Sequence, residues 1–285
     1  MATPFVDGDV DEPAIVSNIR RWIQAGVGGV VALGSNGEAP LIDEHESDRV
    51  IGAARNAVPR DKLLIAGTGR ESTRATIDAT RRAAALGADA ALVRTPSYFK
   101  GRMTPDAFVL HYRAVADASP IPIVLYNYPA VTGVNLTPET VARLAEHPNI
   151  VGIKETGTDA AQLSAFVDAT PARFSVIAGT APTFFAALAV GAVGGILAAA
   201  CVVPEVCITL YELASGGRAA EARALQRRLT PLAKMVTTTY GVPGLKAAMD
   251  LNGYRGGAPR LPLSPAPAEA IEHIRAELAR LRESS

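Results

Sequence analysis

Lysine is scarce in this chain: five of its 28 basic residues are lysines, at positions 62, 100, 154, 234 and 246, and the rest are arginine. A sequence that takes arginine wherever a bare charge suffices gives each lysine more weight, because a primary amine can shed its proton and act as a nucleophile while a guanidinium effectively cannot. Cysteine is scarcer still. Cys201 and Cys207 lie six apart in an apolar segment, which argues against a disulfide framework and reads as two small core residues. The four histidines (His45, His111, His147, His273) are far apart, without metal-ligand spacing, so metal catalysis is not indicated. Charge of either sign is not in excess. With 28 basic and 28 acidic residues and no block of one sign, nucleic acid and anionic membranes are poor partners. The longest apolar stretch, residues 184–203, is broken by glycines and reads as core, not as a membrane span. The start, Met1-Ala2-Thr3-Pro4-Phe5, has neither a basic nor an apolar signal region, so the cytoplasm is the expected compartment.

What the chain does have is a repeat. Short apolar runs at 27–33, 63–67, 90–93, 123–126, 150–154, 175–178 and 194–197 alternate with helical patterns at 43–58, 73–86, 105–118, 138–146 and 159–170, each pair spanning about thirty residues. Thr104-Pro105 and Thr137-Pro138 are helix starts, an N-cap followed by proline at the first helical position. Apolar strands separated by helices mean parallel pairing with both faces covered. Seven units, with residues 2–5 as a remnant of an eighth, predict a (β/α)8 TIM barrel whose first strand is truncated. A doubly wound sheet is the competitor, but its dinucleotide fingerprint is incomplete: Gly67-Thr68-Gly69-Arg70-Glu71-Ser72 lacks the third glycine. After residue 197 the pattern turns helical (205–215, 219–240, 244–251, 268–282). The expected organisation is a barrel over 1–217 and a C-terminal helical extension over 218–285.

Barrel active sites lie at the C-terminal ends of the strands. Lys154 ends one strand-like run and is a candidate Schiff-base former, although a strand end can also carry a solvated lysine. Tyr126 stands one repeat earlier and should top the neighbouring strand, where a phenol can pass protons during imine formation. The alternative is a rim aromatic that caps the core. Gly34-Ser35-Asn36-Gly37-Glu38 follows the first run and offers donors to an anion such as a keto-acid carboxylate. It can equally be a turn that uses glycine for positive φ.

Together with Thr95-Pro96-Ser97-Tyr98, Tyr126-Asn127-Tyr128-Pro129, Gly152-Ile153-Lys154-Glu155, Gly191-Ala192-Val193-Gly194-Gly195 and Gly241-Val242-Pro243-Gly244-Leu245-Lys246, these segments resemble the pyruvate-dependent class I aldolase and lyase family of dihydrodipicolinate synthase and N-acetylneuraminate lyase. The resemblance spans nearly the whole chain. It implies that Lys154 forms an imine with pyruvate, that Tyr126 shuttles protons, and that Ser35 links it to Tyr98, which in many relatives arrives from a neighbouring subunit. It further implies that Gly34, Ser35 and Asn36 hold the carboxylate and that Thr156, Gly179 and Leu197 line the substrate. Neither metal nor organic cofactor is required, because the imine is itself the electron sink. A homo-oligomer, dimer or tetramer, is implied as well. Synthases usually carry arginine five residues after the tyrosine, where this chain has Val131. The resemblance therefore leans to the 4-hydroxy-2-oxoglutarate aldolase branch, giving pyruvate and glyoxylate. A 2-keto-3-deoxy sugar-acid aldolase or dehydratase and 4-hydroxy-tetrahydrodipicolinate synthase are the alternatives within the enzyme class. A catalytically silent paralogue that binds a keto acid is the alternative outside it.

Overall fold

The computed structural model describes residues 1–283. Nine strands occur among them: β1 (Phe5–Val6), β2 (Asp9–Val10), β3 (Gly29–Ala32), β4 (Leu63–Gly67), β5 (Ala90–Arg94), β6 (Ile123–Asn127), β7 (Ile150–Glu155), β8 (Ser175–Ala178) and β9 (Gly194–Gly195). The sheet runs β3-β4-β5-β6-β7-β8-β9 in chain order, and every pairing from β4 to β9 is parallel. Helices fill the crossovers, among them Glu44–Ala57, Thr73–Ala85, Pro105–Ala118, Pro138–Ala145 and Ala160–Ala169. This is the strand order of a (β/α)8 barrel with seven strands.

Local chemistry explains where these elements begin. Asp43 and Glu46 form a reciprocal capping box at the start of Glu44–Ala57, satisfying N–H groups that have no helical partner. Thr104 and Thr137 cap their helices through Ala107 N and Thr140 N, each with proline in the first turn. The strand expected over residues 2–5 does not join the sheet. Pro4 has no N–H to give a ladder, and the positive φ angles of Asp7 and Gly8 fold Phe5–Val6 back onto Asp9–Val10 as a two-residue antiparallel hairpin. The helix Glu12–Gln24 was absent from the expected set, although Asp11 caps it and Ile15, Ile19 and Trp22 line its buried face. The long helix expected over 219–240 ends at Lys234 and continues as a π-helical turn, Met235–Thr239.

The chain divides into two compact units. The first holds Met1–Leu64, Ala181–Phe185 and the described residues from Leu197 onward. Its core includes Trp22, stacked on Tyr254 at 5.7 Å and donating through Nε1 to Cys201 O at 3.1 Å. Cys201 and Cys207 are both free and buried. The second holds Ile65–Thr180 and Ala186–Ile196, and so carries the parallel ladder from β4 to β9.

Candidate active site

In the second unit the ends of β6 and β7 come together as the repeat predicted. Tyr126 pairs with Lys154 in register, and both side chains are buried. Lys154 Nζ lies 4.2 Å from the centre of the Tyr126 ring, whose face covers the amine on one side. Tyr128 extends this surface, stacked on Tyr126 at 6.0 Å, and burial, with Tyr126 nearby, raises its phenol above the ordinary range. On its other side, β7 lies close against β8 at Gly152. A Cβ there would sit 2.5 Å from the Ser175 carbonyl of β8, so only glycine fits.

Beyond β7, Thr156 N donates to Asn127 O at 3.0 Å. The Thr156 hydroxyl is buried without a hydrogen-bond partner among the described residues, an unsatisfied polar group beside the end of β7. Gly179 packs directly behind: its N–H reaches Glu155 O at 2.6 Å, and a Cβ would collide with Thr156 Oγ1. Tyr98 is placed differently. Its ring is 79% exposed and meets Phe99 edge-on at 5.0 Å, so within one chain it is a surface aromatic. Its backbone is nonetheless fixed, since Glu71 Oε2 accepts from Ser97 N (2.9 Å) and Tyr98 N (2.8 Å) while Oε1 pairs with Arg94 at 2.7 Å. Burial pushes the Glu71 carboxyl up, but these donors outweigh it and leave it below its usual value.

Sequence reasoning missed two residues here. Asn127 and Glu155 are fully buried and bonded to each other, Nδ2 to Oε2, at 2.7 Å. A signal existed. A strand that ends in two consecutive charged residues can turn only one of them toward a given face, so Glu155 needed its own polar partner.

In the first unit, Ser35–Gly37 forms one 3-10 turn, with Thr3 Oγ1 donating to Gly37 O at 2.7 Å. The glycines do not supply the positive φ that a simple glycine turn would use. Gly34 is extended, and the left-handed residues are Leu33 (φ 56°) and Glu38 (φ 58°), which flank the turn at a cost of about 1 kcal/mol or more each. Strain of this kind persists where the surroundings over-determine it. The surroundings are a buried ion pair: Lys246 Nζ lies 2.6 Å from Glu38 Oε1, with side chains 1% and 0% exposed. Arg260 N donates to Glu38 Oε2 at 2.8 Å, and Lys246 also donates to Ala258 O at 2.9 Å and stands over the Phe5 ring. Desolvation lowers the Lys246 amine's pKa, against the pull of Glu38. Leu197 caps the short turn Ala198–Cys201 in this same unit.

No group of three or more His, Cys, Asp or Glu residues able to hold a metal ion occurs among the described residues, and none of the described helices is long and apolar enough to cross a membrane.

Known proteins share the sequence pattern and the fold. The sequence model of the dihydrodipicolinate synthetase family matches residues 1–281. A protein of Parasynechococcus marenigrum named 4-hydroxy-tetrahydrodipicolinate synthase is 37% identical over 286 residues, covering 100% of this chain and 94% of that one. The crystal structure of dihydrodipicolinate synthase from Thermotoga maritima superposes with a TM-score of 0.95 at 32% identity, covering 99% of this chain and 96% of that one. The chloride-inhibited dihydrodipicolinate synthase of Acinetobacter baumannii, complexed with pyruvate, gives 0.93 at 33% identity, covering 99% and 97%. With a family match over nearly its full length, the chain belongs to the dihydrodipicolinate synthetase family of enzymes.

Proposed function

We propose that this chain is a class I lyase whose Lys154 condenses with the carbonyl of pyruvate. The observation that carries the reading is the buried amine 4.2 Å over the Tyr126 ring, on a strand end where solvent is excluded and a phenol stands by. The amine adds to C2 and water leaves as the imine forms, with protons passed by the Tyr126 hydroxyl. Loss of a C3 proton then gives an enamine, which attacks an aldehyde. Run backwards, the same steps cleave a 4-hydroxy-2-oxo acid to pyruvate and an aldehyde. Thr156, whose buried hydroxyl has no hydrogen-bond partner among the described residues, and Gly179 are assigned to the substrate.

For the second reactant, the named relatives favour 4-hydroxy-tetrahydrodipicolinate synthase over the 4-hydroxy-2-oxoglutarate aldolase toward which Val131 leaned. The aldehyde would then be aspartate semialdehyde. Val131 is 63% exposed and brings no charge to that carboxylate. A cation does stand nearby: a Cβ on Gly133 would lie 3.1 Å from Lys100 Nζ, two residues past Val131. The aldolase reading stays as the second one, on the strength of that apolar side chain. The exposed Tyr98 ring accords with a relay completed by a neighbouring subunit, in which case dilution should lower turnover more than pyruvate binding.

Borohydride reduction with pyruvate tests the central step. The peptide holding Lys154 should gain a stable mass, and Lys154→Ala should gain none. A wild-type peptide left unmodified would end the imine reading. Consumption of aspartate semialdehyde, compared with pyruvate release from 4-hydroxy-2-oxoglutarate and 2-keto-3-deoxy acids, then separates synthase from aldolase. Binding of pyruvate without turnover of any of them would point to the silent paralogue.

A further inference from the structure

We infer that Asn127 and Glu155 are positioning residues, a latch across the tops of β6 and β7 that keeps the Lys154 amine over the Tyr126 ring; the inference rests on the reading of Lys154 as the imine former. The β6–β7 ladder needs such a latch. Its register shifts between Ile123 and Val124, whose partners are Ile150 and Gly152, so the β7 strand carries an extra residue near its start. A bulge of this kind disrupts the ladder locally and bends the strand, and the contact between Asn127 and Glu155 holds the pairing at its other end. A slip of one residue would turn every side chain of β7 to the opposite face and take Lys154 away from Tyr126.

The latch sits one residue beyond the reacting pair, at the register position Asn127↔Glu155. Since side chains alternate along a strand, both face away from the substrate side that Tyr126 and Lys154 share. Their polar atoms are all engaged. Asn127 Nδ2 donates to Glu155 Oε2 (2.7 Å) and to Asn135 Oδ1 (2.7 Å), while its Oδ1 accepts from Leu136 N at 3.0 Å. Glu155 Oε1 accepts from Gly157 N at 2.5 Å, and Oε2 from Gln162 Nε2 at 3.2 Å. Asn135 and Gln162 close the ring, Nδ2 to Oε1, at 2.7 Å. A buried carboxylate is costly wherever packing alone is needed, and burial raises the Glu155 pKa against the three donors. Those donors converge on an acceptor with no N–H of its own, and a glutamine here would set an NH2 against at least one of them.

The test compares the rate at which pyruvate is trapped on Lys154 in Glu155→Gln and in wild type, with kcat and KM measured separately and circular dichroism confirming the fold. A misplaced amine should lower the trapping rate and kcat by about tenfold or more while KM for pyruvate moves less. The exchanged pair, Glu155→Gln with Asn127→Asp, restores one acceptor facing one donor and should recover most of the rate. A folded Glu155→Gln that traps pyruvate within twofold of wild type overturns the inference, and so does an exchanged pair no faster than the single variant. Should Glu155→Gln fail to fold, Gln162→Ala removes one donor at the half-exposed rim: slowing by about threefold supports the latch, and an unchanged rate overturns it. If wild type traps no pyruvate, the imine reading fails by itself. The latch is then read from trinitrobenzenesulfonate labelling of Lys154, mapped by peptide mass, which Glu155→Gln should change and which an idle Glu155 would leave as it was.

Discussion

Two polar arrangements hold candidate site segments of this protein, one in each unit, and they do so by opposite means. The turn Ser35–Gly37 is fixed by a fully buried ion pair, Glu38 with Lys246, between two left-handed residues. The tops of β6 and β7 are fixed by a ring of neutral amides around one carboxylate. The ion pair suits a segment with no ladder of its own, because a strong, close contact can compel backbone that local preferences resist. Its weakness is that either partner alone is a buried, uncompensated charge. The amide ring suits strands already held by backbone bonds, where direction matters more than strength, and it can lose a member at its rim with less damage.

The contrast can be broken most forcefully on the ionic side. Lys246→Met strands Glu38 in the core and should cost about 3–5 kcal/mol of unfolding free energy, while adding Glu38→Gln should return much of it; denaturant melts of the single and double variants measure both. If the double variant is no better than the single one, the pair is not the source of the turn's rigidity.

Acid should single out the second unit. His111 is buried against Thr73, whose hydroxyl lies 3.0 Å from Nδ1, and desolvation, helped by Arg94 and opposed by Glu71, lowers its pKa from 6.5 to about 4. The unfolded chain binds a proton below pH 6.5 that the folded ring takes up only near pH 4. Stability is therefore fully present above 6.5 and falls as pH drops through that window, by about 3 kcal/mol in total. Hydrogen exchange at pH 4.5 should show Thr73–Ala85 and Pro105–Ala118 opening more than at pH 7, and His111→Leu should flatten the difference.

A smaller effect is expected at Gly152. Gly152→Ala forces β7 off the Ser175 carbonyl and should cost about 1–3 kcal/mol, with slower pyruvate trapping because the strand that moves carries Lys154. The smallest lies at the surface. Lys100→Met should raise KM for aspartate semialdehyde by up to about fivefold, the worth of one exposed charge pair, and leave KM for pyruvate alone. An equal rise in both would show that Lys100 does not choose the aldehyde.

Much of the fold was legible because parallel strands buried on both faces leave a period that composition cannot hide: β4 and β8 fall at the residues the pattern gave, and the other strands of the seven-stranded sheet lie within a few residues of theirs. Residues 2–5 misled because seven repeats left room for an eighth strand there, while Pro4 has no N–H to give a ladder. The pairing of Tyr126 with Lys154 was legible from the single repeat separating them. Glu38 and Lys246 were each visible as parts of motifs, but nothing along the chain joins positions 208 residues apart, and the same holds at shorter range for Asn127 with Glu155.

The sequence by itself determined which element each candidate residue sits on and which strands are neighbours, since hydrophobic period, caps and turns act over a few residues. Only the tertiary structure decided which charges and amides are buried together and where a Cβ cannot fit. Those depend on distances across the fold, and desolvation and hydrogen-bond direction are fixed only once the chain has closed around them.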